Sequence, residues 1–585
     1  MKNYLNLAAL LCCLPAVMLG QGNMTVSNPE AEQVIFGNYD PALYTPPVII
    51  NHPDSILQGI INRISKDTLL ANLGRIDSFY NRNTGSDTVS QGHGIGACRR
   101  WIYSRLLDYS MKNNNRLLVS YLDYDWYKCG QEHHRNVFAV LPGLDTARKD
   151  ILYLEGHYDT RCEGVCDTAC YTPGMEDNGS GTVLVMELAR IMSRYAYDRT
   201  IIFALTTSED QGLWGAKAFA KFLFNNNINI KACFNNDVIG GVICGYTSSP
   251  PGCPYPNHID STHVRVFSYS AGNDSSAVSP HKQLARYIKL HQEEKINPLL
   301  ETPMTLNLII TEDRNGRSGD HVPFREKGYP AVRFTSQNEH GNGQGIPPDR
   351  QHTSGDILGV DTDIPPDGII DSFYVDMGYL RRNAITNGVN LGYLALSPPP
   401  PAPVFSAVPF GIRIALTGPD TLYQHYRVGV RSKGSGSLYF DTVYTFINTT
   451  EPVIDDLVHD REYYFTVMNV LNGVESQFPD EYSMVVSGTG DHTGMINGIR
   501  MYQNRPNPVQ GSTVIMVDND AGNGPLPAEI ILRDVAGRIV EKIPVILSPG
   551  RNSVEYSNTE GYRGFYTYSL AVDGRTIMTR KMILL

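Results

Sequence analysis

Up to about residue 396, short apolar runs alternate with segments whose apolar residues recur at helical spacing. "DILYLEGHYDT", "TIIFALTTSED", "KACFNNDVIG" and "PAVRFTSQNEH" each read as an apolar strand running into polar residues. Between them Leu184, Leu188 and Ile191 keep helical spacing, and so do Leu213, Ala216, Ala220 and Leu223. These patterns predict amphipathic helices with those side chains turned inward. The proline run "LSPPPPAPVF" (Leu396 to Phe405) then stops any helix and forms a stiff spacer. Beyond it the period becomes two: Tyr463, Phe465 and Val467 share one face, and so do Tyr566, Tyr568, Leu570 and Val572. An α/β domain followed by all-β material is expected.

At 585 residues the chain is long enough for several domains, and 42% hydrophobic with 19% charged residues is a normal globular balance. A net charge of −11 argues against nucleic acid or anionic lipid as a partner. No later stretch is long and apolar enough to be a transmembrane segment. Residues 1–20, with Lys2 ahead of an apolar run, read as a signal peptide and imply export. The expected division is then 21–396 for the α/β domain, 397–490 for a first β-sandwich and 497–585 for a second. Behind the leader lie Cys98, Cys129, Cys162, Cys166, Cys170, Cys233, Cys244 and Cys253, an even number that suggests disulfides in an exported protein. Cys244 and Cys253 flank the turn-rich "GYTSSPPG" and are expected to pair.

The polar ends of the strands carry the chemistry. They deliver His157 and Asp159, Glu209 and Asp210, Asp237, and a loop with His340 and His352. Ligands of open α/β sheets collect outside the carboxyl ends of the strands, so these residues should converge. Converging carboxylates need a cation, and carboxylate with imidazole suits zinc. Two zinc ions would need a bridging acid. Asp177, in the turn "GMEDNGSG" before a helix, either caps that helix or is the bridge. The bridging reading explains the small neighbours as room for two metals.

In chain order "HYD", "DNGSG", "EDQGLWG", "DVIG" and "HTSGD", with "SGDHVPF", resemble the motifs of the clan MH di-zinc exopeptidases, metallopeptidase family 28 among them. That group holds leucyl-type aminopeptidases, glutamate carboxypeptidases and one-zinc glutaminyl cyclases. The resemblance covers roughly residues 55 to 396 and implies a mixed, mostly parallel sheet flanked by helices. It also implies Asp177 as the bridge between two Zn2+ ions, His157 and Asp237 on one, and Asp210 and His352 on the other. Asp159 would orient His157, and Glu209 would act as general base and later protonate the leaving amine. His352, followed by Thr353, fits the last ligand better than His340. The family pattern has Glu-Glu where this chain has Glu209-Asp210, one methylene shorter.

"EYYFTV" after Leu457 resembles the tyrosine corner of fibronectin type III sandwiches. "YQNRPNPVQGSTVIMV", "DVAGRIV", "GFYTYSLAVDG" and "RKMILL" resemble the C-terminal sorting domain of type IX secretion substrates, made by bacteria of the Bacteroidetes group. The function implied is a secreted or surface zinc aminopeptidase acting on peptides, exported through the periplasm by the type IX machinery. The alternatives are a carboxypeptidase or a glutaminyl cyclase-like enzyme of the same fold, or an inactive surface-binding protein. Arg314, Arg317 and Arg333 are the candidates for binding a substrate carboxylate.

Overall fold

The computed structural model describes residues 24–248, 253–276, 278–408, 411–417, 425–434, 437–447, 449–458, 460–486, 498–520, 524–572 and 574–585. The signal-peptide reading over residues 1–20, the half of "GYTSSPPG" beyond Ser248, and the start of the last expected domain at Asn497 lie outside them.

Among the described residues, nine strands form one mixed sheet. They are β1 (Thr25–Val26), β2 (Leu118–Lys128), β3 (Gln131–Leu141), β4 (Ile151–His157), β5 (Ile201–Thr206), β6 (Ile230–Asn236), β7 (His263–Phe267), β8 (Thr305–Ile309) and β9 (Ala331–Ser336). Their order is β1-β2-β3-β5-β4-β6-β9-β7-β8. The centre, β5-β4-β6-β9, is parallel, whereas the β2–β3 hairpin joins β5 antiparallel and β7 joins β9 antiparallel. Every residue of β4, β5, β6 and β9 is buried. Alternate side chains serve two layers: Leu152, Leu154, Phe203 and Leu205 in one apolar cluster, Tyr153, Ile202 and Ala204 in the other. That is why these strands read as continuous apolar runs rather than alternating ones.

Helices cover both faces. α2 (Pro53–Arg63), α3 (Lys66–Asp77), α4 (Gly94–Lys112), α5 (Ser180–Met192), α7 (Pro280–His291) and α9 (Met377–Leu396) contribute to the first cluster. α1 (Pro29–Ile35), α6 (Trp214–Asn225) and α8 (His321–Glu326) contribute to the second. The amphipathic expectation fails for α5. All its residues but Arg190 are buried, because it packs on β4 and β5 with α2, α3, α4 and α9 around it. In α6, Ala216, Ala220 and Leu223 are buried as expected, but Leu213 is not on the inward face. It precedes the helix in the left-handed region (φ 61°).

Disulfides join Cys129–Cys166, Cys162–Cys170 and Cys244–Cys253, while Cys98 and Cys233 are buried free thiols in the core. The Cys244–Cys253 pairing is as expected. The even count did not mean that every cysteine pairs, since two of the eight behave as small apolar side chains.

The chain forms two compact units. The first comprises the chain up to Ala402 with Gly418–Asn448 and Tyr464–Tyr482, the second Pro403–Thr417, Thr449–Tyr463 and Ser483–Leu585. Within the first, Phe440, Met468, Val474 and Phe478 belong to the same apolar cluster as the helices. There Arg286 of α7 lies 2.9 Å from Glu481, and His291 Nε2 lies 3.0 Å from Glu475 Oε2, with Arg286, His291 and Glu475 buried. Within the second, strands at Ser512–Asn519, Leu526–Arg533, Gly564–Val572 and Arg575–Leu584 enclose their own core, including Val517, Ile530, Tyr568, Leu570 and Met582. No helix among the described residues is long and apolar enough to cross a membrane.

Candidate metal centre

The turn before α5 shows which group does the capping. Asn178 Oδ1 accepts the N–H of Gly181 (2.9 Å), and the Asp356 carboxylate accepts those of Glu176 (2.8 Å) and Asp177 (3.0 Å). The Asp177 carboxylate makes no cap and is left for other work. The small residues also have a different reason from the one expected. A Cβ on Gly181 would lie 2.2 Å from the Asn236 carbonyl oxygen, and one on Gly156 would lie 2.8 Å from the Gly181 carbonyl carbon. They bring the start of α5 against the backbones of β4 and β6, which sets Asp177 between the strand ends.

From these ends the predicted residues meet. His157 closes β4, Asp237 follows β6, and Glu209 and Asp210 follow β5 through Ser208 at φ 60°. His157 Nε2 lies 3.4 Å from Asp177 Oδ1 and 3.5 Å from Asp237 Oδ1. His352 Nε2 lies 2.9 Å from Asp177 Oδ2 and 2.9 Å from Asp210 Oδ1. The two oxygens of Asp177 therefore face two different imidazoles. Glu209 joins the first group with His157 and Asp237. Asp159 lies behind His157: its carbonyl oxygen is 3.2 Å and its Oδ1 3.5 Å from Nδ1, and Oδ1 also accepts the Glu209 N–H (3.3 Å).

Two ligands about 2.0–2.1 Å from a tetrahedral zinc lie about 3.3 Å apart, so the 3.4–3.5 Å spacings around His157 suit the ion, while the 2.9 Å contacts of His352 are the shorter ones of a hydrogen-bonded cluster. His157 Nε2 and Asp210 Oδ2 are buried without a hydrogen-bond partner, the condition a metal would relieve. Electrostatics point the same way. Burial opposes charge on His157, yet Glu209 and the surrounding Asp residues hold its pKa well above 6.5. Burial likewise opposes charge on His352, and Asp210 and Asp177 raise its pKa to about 10. Burial drives the Glu209 pKa well above 4.5, with Asp237, Asp320 and Asp210 adding to the effect of burial and His157 opposing it. The pocket is a buried set of acids calling for positive charge.

His340 is not brought into this set. Its Nδ1 accepts the Arg350 N–H (2.9 Å) and faces Asp349. Of the three arginines, Arg333 is held by Asp237 (2.8 Å) and Asp313 (2.6 Å), and Arg314 by Asp313 and Glu339. Arg317 meets the Gln351 side-chain oxygen at 3.1 Å. Asp320 lies buried beneath the strands, accepting from Thr206 Oγ1 (2.6 Å), and His321 pairs with the Glu312 carbonyl (2.8 Å). Sequence reasoning missed Asp356 and also Arg161, whose Nε lies 3.4 Å from Asp210 Oδ1, and counted Arg333 among the candidates for a substrate carboxylate, whereas it pairs with Asp237 and Asp313. No spacing signal ties these residues to partners so far along the chain.

Residues 136–247 match the sequence model of peptidase family M28. A probable zinc metalloprotease of Phaeosphaeria nodorum is 32% identical over 314 residues, covering 49% of this chain and 61% of that protein. One of Pyricularia oryzae is 30% identical over 361 residues, covering 59% of this chain and 68% of that protein. The chain thus spans under two thirds of the first relative's length and just over two thirds of the second's. Among solved structures, the Legionella pneumophila LapA aminopeptidase is 17% identical with a TM-score of 0.41, covering 60% of this chain and 76% of that one. The Porphyromonas gingivalis glutaminyl cyclase is 17% identical with a TM-score of 0.38, covering 56% and 98%. The matched region takes in the ends of β4, β5 and β6 with His157, Asp177, Glu209, Asp210 and Asp237, and with the Pyricularia similarity it shows that the chain belongs to peptidase family M28.

Proposed function

We propose that the chain is a zinc exopeptidase that removes N-terminal residues from peptides. His157 and Asp237 would hold one ion and Asp210 and His352 a second, with Asp177 a ligand available to both. The observation that carries this reading is the division of Asp177 between the two imidazoles, Oδ1 toward His157 and Oδ2 toward His352. When bound, the zinc ions supply Lewis acidity to the scissile carbonyl and make water a nucleophile near neutral pH. Glu209 takes the proton of the attacking water on a carboxylate oxygen and returns it to the leaving amine. Asp159 holds His157 from behind through Nδ1 and fixes the Glu209 backbone through Oδ1. Arg333 occupies the second oxygen of Asp237 and leaves Oδ1 for the metal.

A carboxypeptidase reading rests on Arg317. Asp177 lies close enough to act on it electrostatically, and Arg317 donates a hydrogen bond to a neutral amide, that of Gln351. A panel of aminoacyl amides, N-blocked peptides and N-terminal glutaminyl peptides, with and without chelator, separates the readings. Chelator-sensitive cleavage of the amides supports the aminopeptidase. Turnover of N-blocked peptides alone replaces it with a carboxypeptidase, and pyroglutamate formation replaces it with a cyclase.

The C-terminal strands are read as an address for type IX export, with the fibronectin-like segment before them. Truncation before Asn497 is expected to abolish delivery to the cell surface while the purified enzyme keeps its activity. Surface delivery of the truncated chain would overturn this part.

A further inference from the structure

We propose that Arg161 is a positioning residue for the Asp210–His352 half of the centre, an inference that rests on the zinc reading above. Arg161 leaves β4 two residues after Asp159. Its Nε lies 3.4 Å from Asp210 Oδ1, and its Nη2 donates to the Gly343 carbonyl (2.9 Å). The same carbonyl accepts from His352 Nδ1. One guanidinium thus touches one ligand directly and reaches the other through a shared acceptor. Hydrogen bonding at Nδ1 fixes which tautomer presents Nε2 to a metal and how the ring is turned.

Gly343 stands where only glycine fits easily. It lies at φ +74°, and a Cβ there would come within 2.3 Å of Arg317 Nη1. Arg161 is itself held, with its side chain only 14% exposed. Its Nη1 meets the carbonyls of Cys162 (3.5 Å) and Glu163 (3.3 Å), at the head of the loop closed by Cys162–Cys170. Cys129–Cys166 ties that loop to the β2–β3 hairpin, and Gln211 Nε2 donates to Val165 O (3.4 Å) beside Asp210. The other half of the centre has its own arginine, since Arg333 reaches Asp237 at 2.8 Å. Each half has one guanidinium against an acid, buried for Arg333 and part-buried for Arg161, so loss of Arg161 should be felt on one side only.

The test uses the zinc-loaded full chain, dialysed stepwise against a mild chelator, with metal content read by elemental analysis alongside a thermal melt. Wild type should hold two zinc equivalents. Arg161→Gln should release one of them at about 10- to 100-fold weaker chelation, the usual loss for an outer partner of a ligand, and keep the other as wild type does. Arg161→Lys restores charge near Asp210 without the forked geometry and should fall between. Arg161→Gln releasing both equivalents at the wild-type midpoint overturns the assignment. An equal shift of both also overturns it, because that marks general loosening. Should Arg161→Gln fail to fold, Arg161→Lys decides alone: an unchanged midpoint for both equivalents overturns the assignment, and a shift of one supports it. A wild type holding fewer than two zinc ions defeats the two-zinc reading itself, a result separable from any property of Arg161.

Discussion

Asp356 accepts the backbone N–H of Asp177 at 3.0 Å and, through its other oxygen, that of Glu176 at 2.8 Å. Burial raises its pKa to about 6, so at neutral pH it is ionised and acts only as an acceptor. A residue 179 positions later therefore fixes the backbone from which Asp177 faces both imidazoles. Asp356→Ala leaves two buried N–H groups unpaired, at a cost of about 1–3 kcal/mol each. Because Asp177 touches both halves, this variant should loosen both zinc equivalents together, unlike Arg161→Gln. Metal analysis beside a denaturation curve checks this. Wild-type retention of both equivalents would show that Asp177 needs no such support.

Glu209 stands with His157 and Asp237 but belongs to the proton chemistry in the proposed mechanism. Glu209→Gln keeps the shape and the Asp159 hydrogen bond to the backbone N–H, so fold and zinc content should survive. Turnover of an aminoacyl amide should fall by about 10²–10⁴, the range for a lost acid–base group. Near-normal turnover at full zinc content would remove Glu209 from the mechanism.

The strand ends were legible because β4, β5, β6 and β9 are buried on both faces, and such strands stand out as apolar runs ending abruptly in acid or imidazole. Position in the sheet then does the rest, since parallel strands deliver their carboxyl ends to one edge. What could not be read was whatever depends on a partner far away in sequence. Asp356 and Arg161 sit in loops with no period, and only the fold shows that one serves the Asp177 backbone and the other Asp210. Periodicity also misjudged α5, because apolar residues on one face do not reveal that outer helices cover the other. Phe440, Met468 and Phe478 come after the proline run, yet their side chains share a core with α7 and α9. Composition near a linker carries no information about which surface the next strands bury.

The shorter acid at position 210 already reaches its partner. Asp210 Oδ1 lies 2.9 Å from His352 Nε2, closer than the 3.4–3.5 Å contacts of His157 with Asp177 and Asp237. Ser208 at φ 60° and Gly212 at φ 124° give the backbone its course around this acid. With Arg161 at 3.4 Å on the same oxygen, a longer side chain has little empty space to enter. Asp210→Glu should therefore weaken the zinc equivalent shared with His352, although the family pattern has glutamate there. Release at stronger chelation than wild type, with activity kept, would show that the loop relaxes and that the site favours the longer acid.

The pH dependence of stability should carry the mark of His281. Its Nδ1 accepts the Ala331 N–H at the start of β9 (3.0 Å), and burial, aided by His321 and Arg325, lowers its pKa to about 4. His321 is lowered to about 4 as well, by burial first and by Arg333 and Arg325 against the opposing pull of Asp313. An unfolded histidine titrates near 6.5, so between about pH 6.5 and 4 the unfolded chain binds a proton that the folded one refuses. The stabilisation is complete above pH 6.5 and is lost as the pH falls toward 4, at up to about 1.4 kcal/mol per unit for each histidine. His281→Gln keeps an acceptor for the Ala331 N–H but cannot titrate. Denaturant unfolding from pH 6.5 to 4.5 should then show a shallower fall for the variant, by up to about 1.4 kcal/mol per unit, since the carboxylates contribute equally to both proteins. Parallel pH profiles would mean that His281 takes up its proton in the folded state, and that burial does not exclude it.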